Sequence, residues 1–553
     1  MEARTLRRSF RAAVGVGLLV LGQQAAARQP RGSELERRCE TVTAFEYEPT
    51  PKELNEALAR VGSGGRTRLD MRLTWIPLAA PDDSNDPQSG PPAMLPLPRW
   101  RKPVDAARAI AVSKTMAGVK ELMLDRFELT PEAARVLAGS KHLGALESLS
   151  LSFAGVTGPA LRDLLAPGAL PVLAELDLTN NRLTAADLQE LTVRLASRKL
   201  RRLSIGGRDE ALPDVPVVRL PHDATAIEAL ARVAATPSLT ELDLNDERVG
   251  FAELQALVRV ARKEPLEIKI EAFPRLTAKQ QATLAALDPE GRVTFAISDL
   301  GSKPGALRAL DQSGLLAKVS ALEVSCGDAC ARILAGSAHA SRLRKLVLGC
   351  EENVPFTKAT ASALSGAINL TALRELALYN EVELCKASGI GMAGLRALLA
   401  APFAGQLGSL SLDDQNLGKA GYIVLAGATT LTALTRLSLV DEEPILTAAG
   451  ARLLFRDGPL AGHLEVLEIE NESSAGWPLA ELAKGLKMPK LRALKLPQTG
   501  GKLPEWLKVA RAPGWQHVRV LAIYPQIEDE QPPDSFVKEL RSHMARDACV
   551  FEH

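Results

Sequence analysis

Between Ala387 and Pro402 the chain reads ASGIGMAGLRALLAAP, and within it Gly389, Gly391 and Gly394 spell G-x-G-x-x-G ahead of a helical pattern. The preceding LRELALYN alternates like a strand, and Asp413 and Asp414 follow roughly 20 residues later, the arrangement of a dinucleotide-binding turn. Glycines at that spacing let backbone approach a pyrophosphate at a helix N-terminus, while the distant acid takes a ribose hydroxyl. The same turn has siblings in this chain, however: VTGPALRDLL from Val156, LTAADLQEL from Leu183 and LTAAGARLL from Leu446. Aligned with them, Gly391 stands where a threonine stands, and Gly394 where an alanine, aspartate or glycine stands. The glycines are then ordinary occupants of a turn into a helix, and no cofactor is expected.

Other chemistry is sparse. The chain has no P-loop, no G-x-S-x-G elbow and no H-E-x-x-H. His142, His222, His339, His463, His517, His543 and His553 are scattered without ligand spacing, so neither a catalytic constellation nor a metal site is expected. Cys326 and Cys350 hold the same offset in successive copies of a repeat, where stacked strands bring Cα atoms to about 5 Å, within disulfide range. If the chain is exported, a Cys326–Cys350 bond is the expectation, with Cys330 and Cys385 nearby; the alternative is two half-buried thiols. Cys39 and Cys549 have no evident local partner.

The element that recurs is L-x-x-L-x-L, clearest in LAELDLTNNRL, where Leu173, Leu176, Leu178, Asn181 and Leu183 fill every position. Copies begin at 119, 146, 173 and 200, an interval of 27 residues that returns after 265, 292 and 464. In the copies at Pro265 and Arg292 the first position is degraded. A proline-rich insertion from Gly206 to Asp223 lengthens one interval. Upstream, Leu69-Asp-Met71-Arg-Leu73 and Leu95-Pro-Leu97 fall near the same phase. Between strands, each copy carries a capping residue and apolar positions at helical spacing.

These residues resemble the leucine-rich-repeat superfamily, and repeats of this length with a helix each resemble its ribonuclease-inhibitor-like class. The resemblance covers Val119 to Tyr524. It implies an α/β solenoid, an arc or horseshoe with a parallel concave β-sheet and convex α-helices, because helices about 10 Å wide stack outside strands about 4.8 Å apart. The organisation expected is a signal peptide over 1–27 and an N-terminal cap over 28–118, holding one or two degenerate repeats and a disordered linker at 79–92. The solenoid follows over 119–524, then a C-terminal cap over 525–553. Pro51 to Val61 and Ser535 to Ala548 are the cap helices expected at the two ends.

Formal charge is +1, from 67 basic and 66 acidic residues, which gives no global case for nucleic acid. Arg4, Arg7, Arg8 and Arg11 precede the apolar run Ala12 to Gly22 and then Ala25-Ala26-Ala27, the layout of a secretory signal. That run is too short to span a bilayer, which takes about 20 residues. Export to a periplasmic or extracellular location is expected, with cytoplasmic residence as the alternative. Positions two, four and six after each repeat start are expected on the concave face, where acids outnumber Arg202, Lys269, Lys345, Arg436 and Lys495. Two patches are richest: Glu175, Asp177 and Asn180 with Glu241, Asp243, Asn245 and Asp246, and Tyr379, Asn380, Asp413, Asp414, Glu468 and Glu470. The expected function is non-catalytic binding of a protein partner with a basic surface. The alternatives are an activator of the Ran-GTPase-activating type, which such repeats also resemble, and an envelope-associated structural protein.

Overall fold

The computed structural model describes residues 41–42, 51–61, 68–71 and 102–526, apart from 182, 208–222, 245–248, 351–353, 355, 381–388, 442–445, 472–477 and 501–502. Of the tail it describes 538–539, 542–544 and 549–552. The expected signal segment, the 79–92 linker, the Leu95–Leu97 rung and most of the 206–223 insertion lie outside the described residues.

Eighteen strands form one parallel sheet, each paired with the next in sequence. They are β1 Thr41–Val42, β2 Arg68–Asp70, β3 Glu121–Met123, β4 Ser148–Ser150, β5 Glu175–Asp177 and β6 Arg202–Ser204. Then come β7 Glu241–Asp243, β8 Leu266–Ala272, β9 Val293–Asp299, β10 Val319–Val324, β11 Lys345–Leu348 and β12 Glu375–Tyr379. The last are β13 Ser409–Asp413, β14 Arg436–Asp441, β15 Val466–Asn471, β16 Ala493–Gly500, β17 Val520–Gln526 and β18 Cys549–Glu552. Every L-x-x-L-x-L copy from 119 to 518 carries one of these strands. The leucine-rich-repeat solenoid expected from the sequence is the fold observed.

Period-two alternation puts the leucines on one side of the sheet. Leu173, Leu176 and Leu178 are buried, while Glu175 and Asp177 between them stay partly open on the other side. The buried side meets a row of helices, and their starts are written in the sequence. Thr130, Thr184, Thr277 and Thr447 each cap a helix by accepting a backbone N–H, and Asp223 does the same for the helix Ala224–Ala234. Buried Asn181 closes the turn between strand and helix: its Nδ2 donates to the carbonyls of Leu151 and Leu178, and its Oδ1 accepts the Val156 N–H at 2.9 Å.

β2 pairs directly with β3, Arg68 opposite Glu121. At the other end β18, just past the residues of the expected cap helix, extends the sheet beyond β17. The array departs from a regular repeat by a register slip. From β3 to β9 equivalent repeat positions face each other, as Glu241 faces Glu267 and Asp243 faces Lys269. Between β9 and β10, Ser320 is skipped as a bulge, and Ala296 then faces Ala321. The fourth residue after one repeat start therefore faces the second after the next. A shift by two keeps leucines inward, Ile297 still opposing Leu322, so the core tolerates it. On the convex side the 3₁₀ turn Leu315–Lys318 packs against both adjoining helices, Ala278–Ala286 and Pro304–Gln312.

Candidate functional site

The glycine turn is saturated by its neighbouring rung. The Gly391 N–H donates to the Gln415 carbonyl at 3.0 Å, and the Ile390 N–H points at Gln415 Oε1. Gly389 has φ +64, and a Cβ there would sit 2.5 Å from the Gln415 backbone, so glycine is required by packing between rungs. The amides that would cradle a phosphate are thus engaged with protein. The cysteine expectation is corrected: Cys326 is bonded to Cys330, one helical turn on at the start of the helix Gly327–Gly336, where the Cα atoms lie 5.4 Å apart. Cys350 occupies the equivalent place on the next rung, as expected, but its disulfide is made elsewhere.

On the concave face the first patch is a ladder of ion pairs. Arg202 lies between Glu175, at 3.7 Å, and Glu241, at 2.9 Å, and Glu241 also meets Lys269 at 2.7 Å. The acids there are compensated by cations one rung away. Asp177 accepts from the Thr179 N–H at 2.9 Å, and Asp243 is buried. Asn180 is corrected: it is buried with φ 59, its N–H bonded to the Gly206 carbonyl, so it turns the chain rather than facing the arc. Asn245 and Asp246 lie outside the described residues. Arg68, which the sequence did not single out, makes a separate pair with Glu121 at 3.3 Å, with the Ser148 rung between it and this ladder.

In the second patch Tyr379 lies across Gly349 of the preceding rung, its hydroxyl 2.8 Å from Ser325 Oγ one rung further back. Asn380 is corrected like Asn180: buried, it donates from Nδ2 to the Asp414 carbonyl and from its N–H to that of Asp413. Asp413 sits opposite Tyr379 in the sheet and Asp414 is in a left-handed turn. Buried Tyr422 donates to Asp441 at 2.5 Å; burial, then the carboxylates of Asp441, Asp414 and Asp413, hold its phenol well above the ordinary range. Glu470 pairs with Lys495, and Glu468 faces Lys495 in register.

Between the two patches the slip opens a cleft of about 260 Å³. Its floor is shallow because Ala296 and Ala321 face each other, with Lys269 on one flank and Lys345 on the other. One rim is closed by Arg344, which reaches from β11 to Glu267 on β8 at 2.7 Å, over the bulged Ser320, whose hydroxyl is 2.6 Å from the same carboxylate. Burial pushes Glu323 up to about 7, with Lys345 opposing and Asp299 reinforcing the shift. Burial also lowers Lys345, against the pull of Glu375 and Glu323. Arg344 and Arg374 stand one residue after a repeat start, and only their long side chains bring them to this face. Among the described residues no cluster of His, Cys, Asp and Glu could hold a metal ion, and no helix is long and apolar enough to cross a membrane.

No family model and no curated protein matches the chain. Among solved structures, the crystal structure of a TLR13–ssRNA13 complex is similar at 15% identity and a TM-score of 0.27. That likeness covers 78% of this chain and 57% of the other, so this chain spans little more than half of its length.

Proposed function

We propose that this protein is a non-catalytic scaffold that binds a protein partner on its concave face. The observation that carries the reading is the row of polar side chains on the open face of the parallel sheet through the two patches, ordered across rungs by register, before the face turns apolar at Val466, Ala493, Val520 and Ala522. Rigid strands then hold many polar groups in an extended array, and affinity is summed over spaced contacts. The acids of the second patch, Asp413, Asp414, Glu468 and Glu470, favour a partner with a basic surface. Arg202 and Lys269 pair with acids of the first patch, while Lys495 pairs with Glu470 of the second, whose acids outnumber it, so the second is the place to test.

The test measures anisotropy of a labelled hexalysine peptide at low salt. The variant Asp413→Lys/Glu468→Lys is compared with the convex control Glu228→Lys, each first shown to melt like the wild type. The concave pair should weaken binding about tenfold or more and the control should not. Equal binding by all three proteins would remove the concave assignment. Export is proposed with this function, and the disulfide at Cys326 and Cys330 supports an oxidising compartment. N-terminal sequencing of fractionated protein tests it; an uncleaved chain in the cytoplasm would end it.

A further inference from the structure

The cleft at the slip differs in sign from the surface around it. Its walls carry four cations, Lys269, Lys345, Arg344 and Arg374, against three carboxylates, Glu267, Glu323 and Glu375. Lys269 stands on one flank, and Lys345, Arg344 and Arg374 come from the two rungs of the other. Lys345 and Glu375 face each other in the register of β11 and β12, so Arg344 and Arg374, one residue before each, occupy neighbouring rungs about 4.8 Å apart. Like charges placed side by side across strands repel. Arg344 is relieved by Glu267. Arg374 is not: it donates to the carbonyl of Leu373, its own neighbour in sequence, and among the described residues it has no ion pair. The next rung places Gly408 at the equivalent position, so no side chain stands there beside Arg374.

We infer that this corner, formed by Arg374 with Arg344 and Lys345, receives a carboxylate from an aspartate or glutamate side chain of the partner. The inference rests on the reading of the concave face as the binding surface, and it makes the partner a protein of mixed charge, acidic where it meets the slip and basic around it. A planar guanidinium with a free edge matches a carboxylate through parallel N–H donors. The neighbouring Glu323 and Glu375 favour a monoanion over a phosphate dianion, whose second charge they would repel. Glu323, holding its proton near neutrality, adds a donor on the same wall. The volume is enough to take one side chain.

The experiment uses the full chain and a labelled, acetylated and amidated hexaglutamate peptide, followed by anisotropy at low salt. Arg374→Glu and the milder Arg374→Gln are compared with Arg308→Glu on the convex helix Pro304–Gln312, all checked by thermal melting. Expected is binding to wild type that weakens about tenfold in Arg374→Glu, less in Arg374→Gln, and not at all in the control. Absence of binding to wild type, or equal loss in the control, would overturn the inference. Displacement of the peptide by inorganic phosphate at concentrations where acetate has no effect would also overturn it, in favour of a phosphate site. Hexalysine binding by the same proteins reports separately on the broader reading: its loss speaks against the acidic second patch and leaves the cleft result standing.

Discussion

Glu323 shows what register does to a single side chain. Burial opposes its charge, so the folded chain keeps a proton near neutrality that the unfolded chain has already released. The stability this contributes is complete below the ordinary carboxylate range and is lost as pH rises through about 7. Denaturant midpoints should therefore converge for Glu323→Gln and wild type near pH 4. Wild type should fall behind by on the order of 2–3 kcal/mol near pH 8; parallel pH profiles would show that the carboxyl is not desolvated. Residues of this kind were half legible. Alternation put Glu175, Asp177, Glu241 and Asp413 on the correct side of the sheet, because a strand's period is local. Their pairing was not legible, since Arg202, Glu241 and Lys269 meet only through the stacking of rungs. Asn180 and Asn380 failed for a related reason: each lies just past the strand where the chain bends, Asn180 in a left-handed turn and Asn380 bonding the Asp414 carbonyl of the next rung.

At the scale of elements, polar side chains from one rung terminate the helix or loop of the rung before. Arg198 donates to the Ala166 carbonyl, Ser238 to that of Arg198, Asn369 to that of Ser337 and Gln406 to that of Leu370. Arg262 serves three carbonyls, those of Ala234, Thr236 and Leu239, at and beyond the end of the helix Ala224–Ala234. Such carbonyls lack intrahelical partners and need donors. Replacing Arg262 by Ala should lower stability by about 2–4 kcal/mol, and by Lys somewhat less, because one ammonium cannot span the positions a guanidinium fork reaches. Urea midpoints measure both, and a neutral Arg262→Ala would refute the role. The same bonds account for several arginines and for His463, whose ring meets the Leu431 carbonyl, as parts of the scaffold. The places of the strands were legible, one to each leucine copy, because leucine spacing repeats; their lengths, from three residues in β3 to eight in β16, were not. β1 and β18 were not legible, because neither carries a copy of the leucine pattern.

For the whole molecule, most contacts run between adjacent rungs, with a few side chains such as Arg344 and Tyr379 reaching further, so cooperativity depends largely on each interface in turn. The weakest interface is expected at β9 and β10, where the bulge interrupts the ladder and a 3₁₀ turn is wedged between two helices. Hydrogen exchange at increasing urea should then show the rungs from β3 to β9 and those from β10 to β17 opening at different concentrations. Simultaneous loss of protection across both would mean the slip is as strong as any other junction. That slip also divides the surface into two reading frames. A partner that tracks one row of side chains along the arc stays in phase as far as β9, then finds itself over a different repeat position from β10 onward. Whole rungs could be duplicated or removed within either frame without disturbing the alignment of the rest. The offset is inherited at the junction where Ser320 is spare, which makes that residue a splice mark in the ruler the protein presents to its partner.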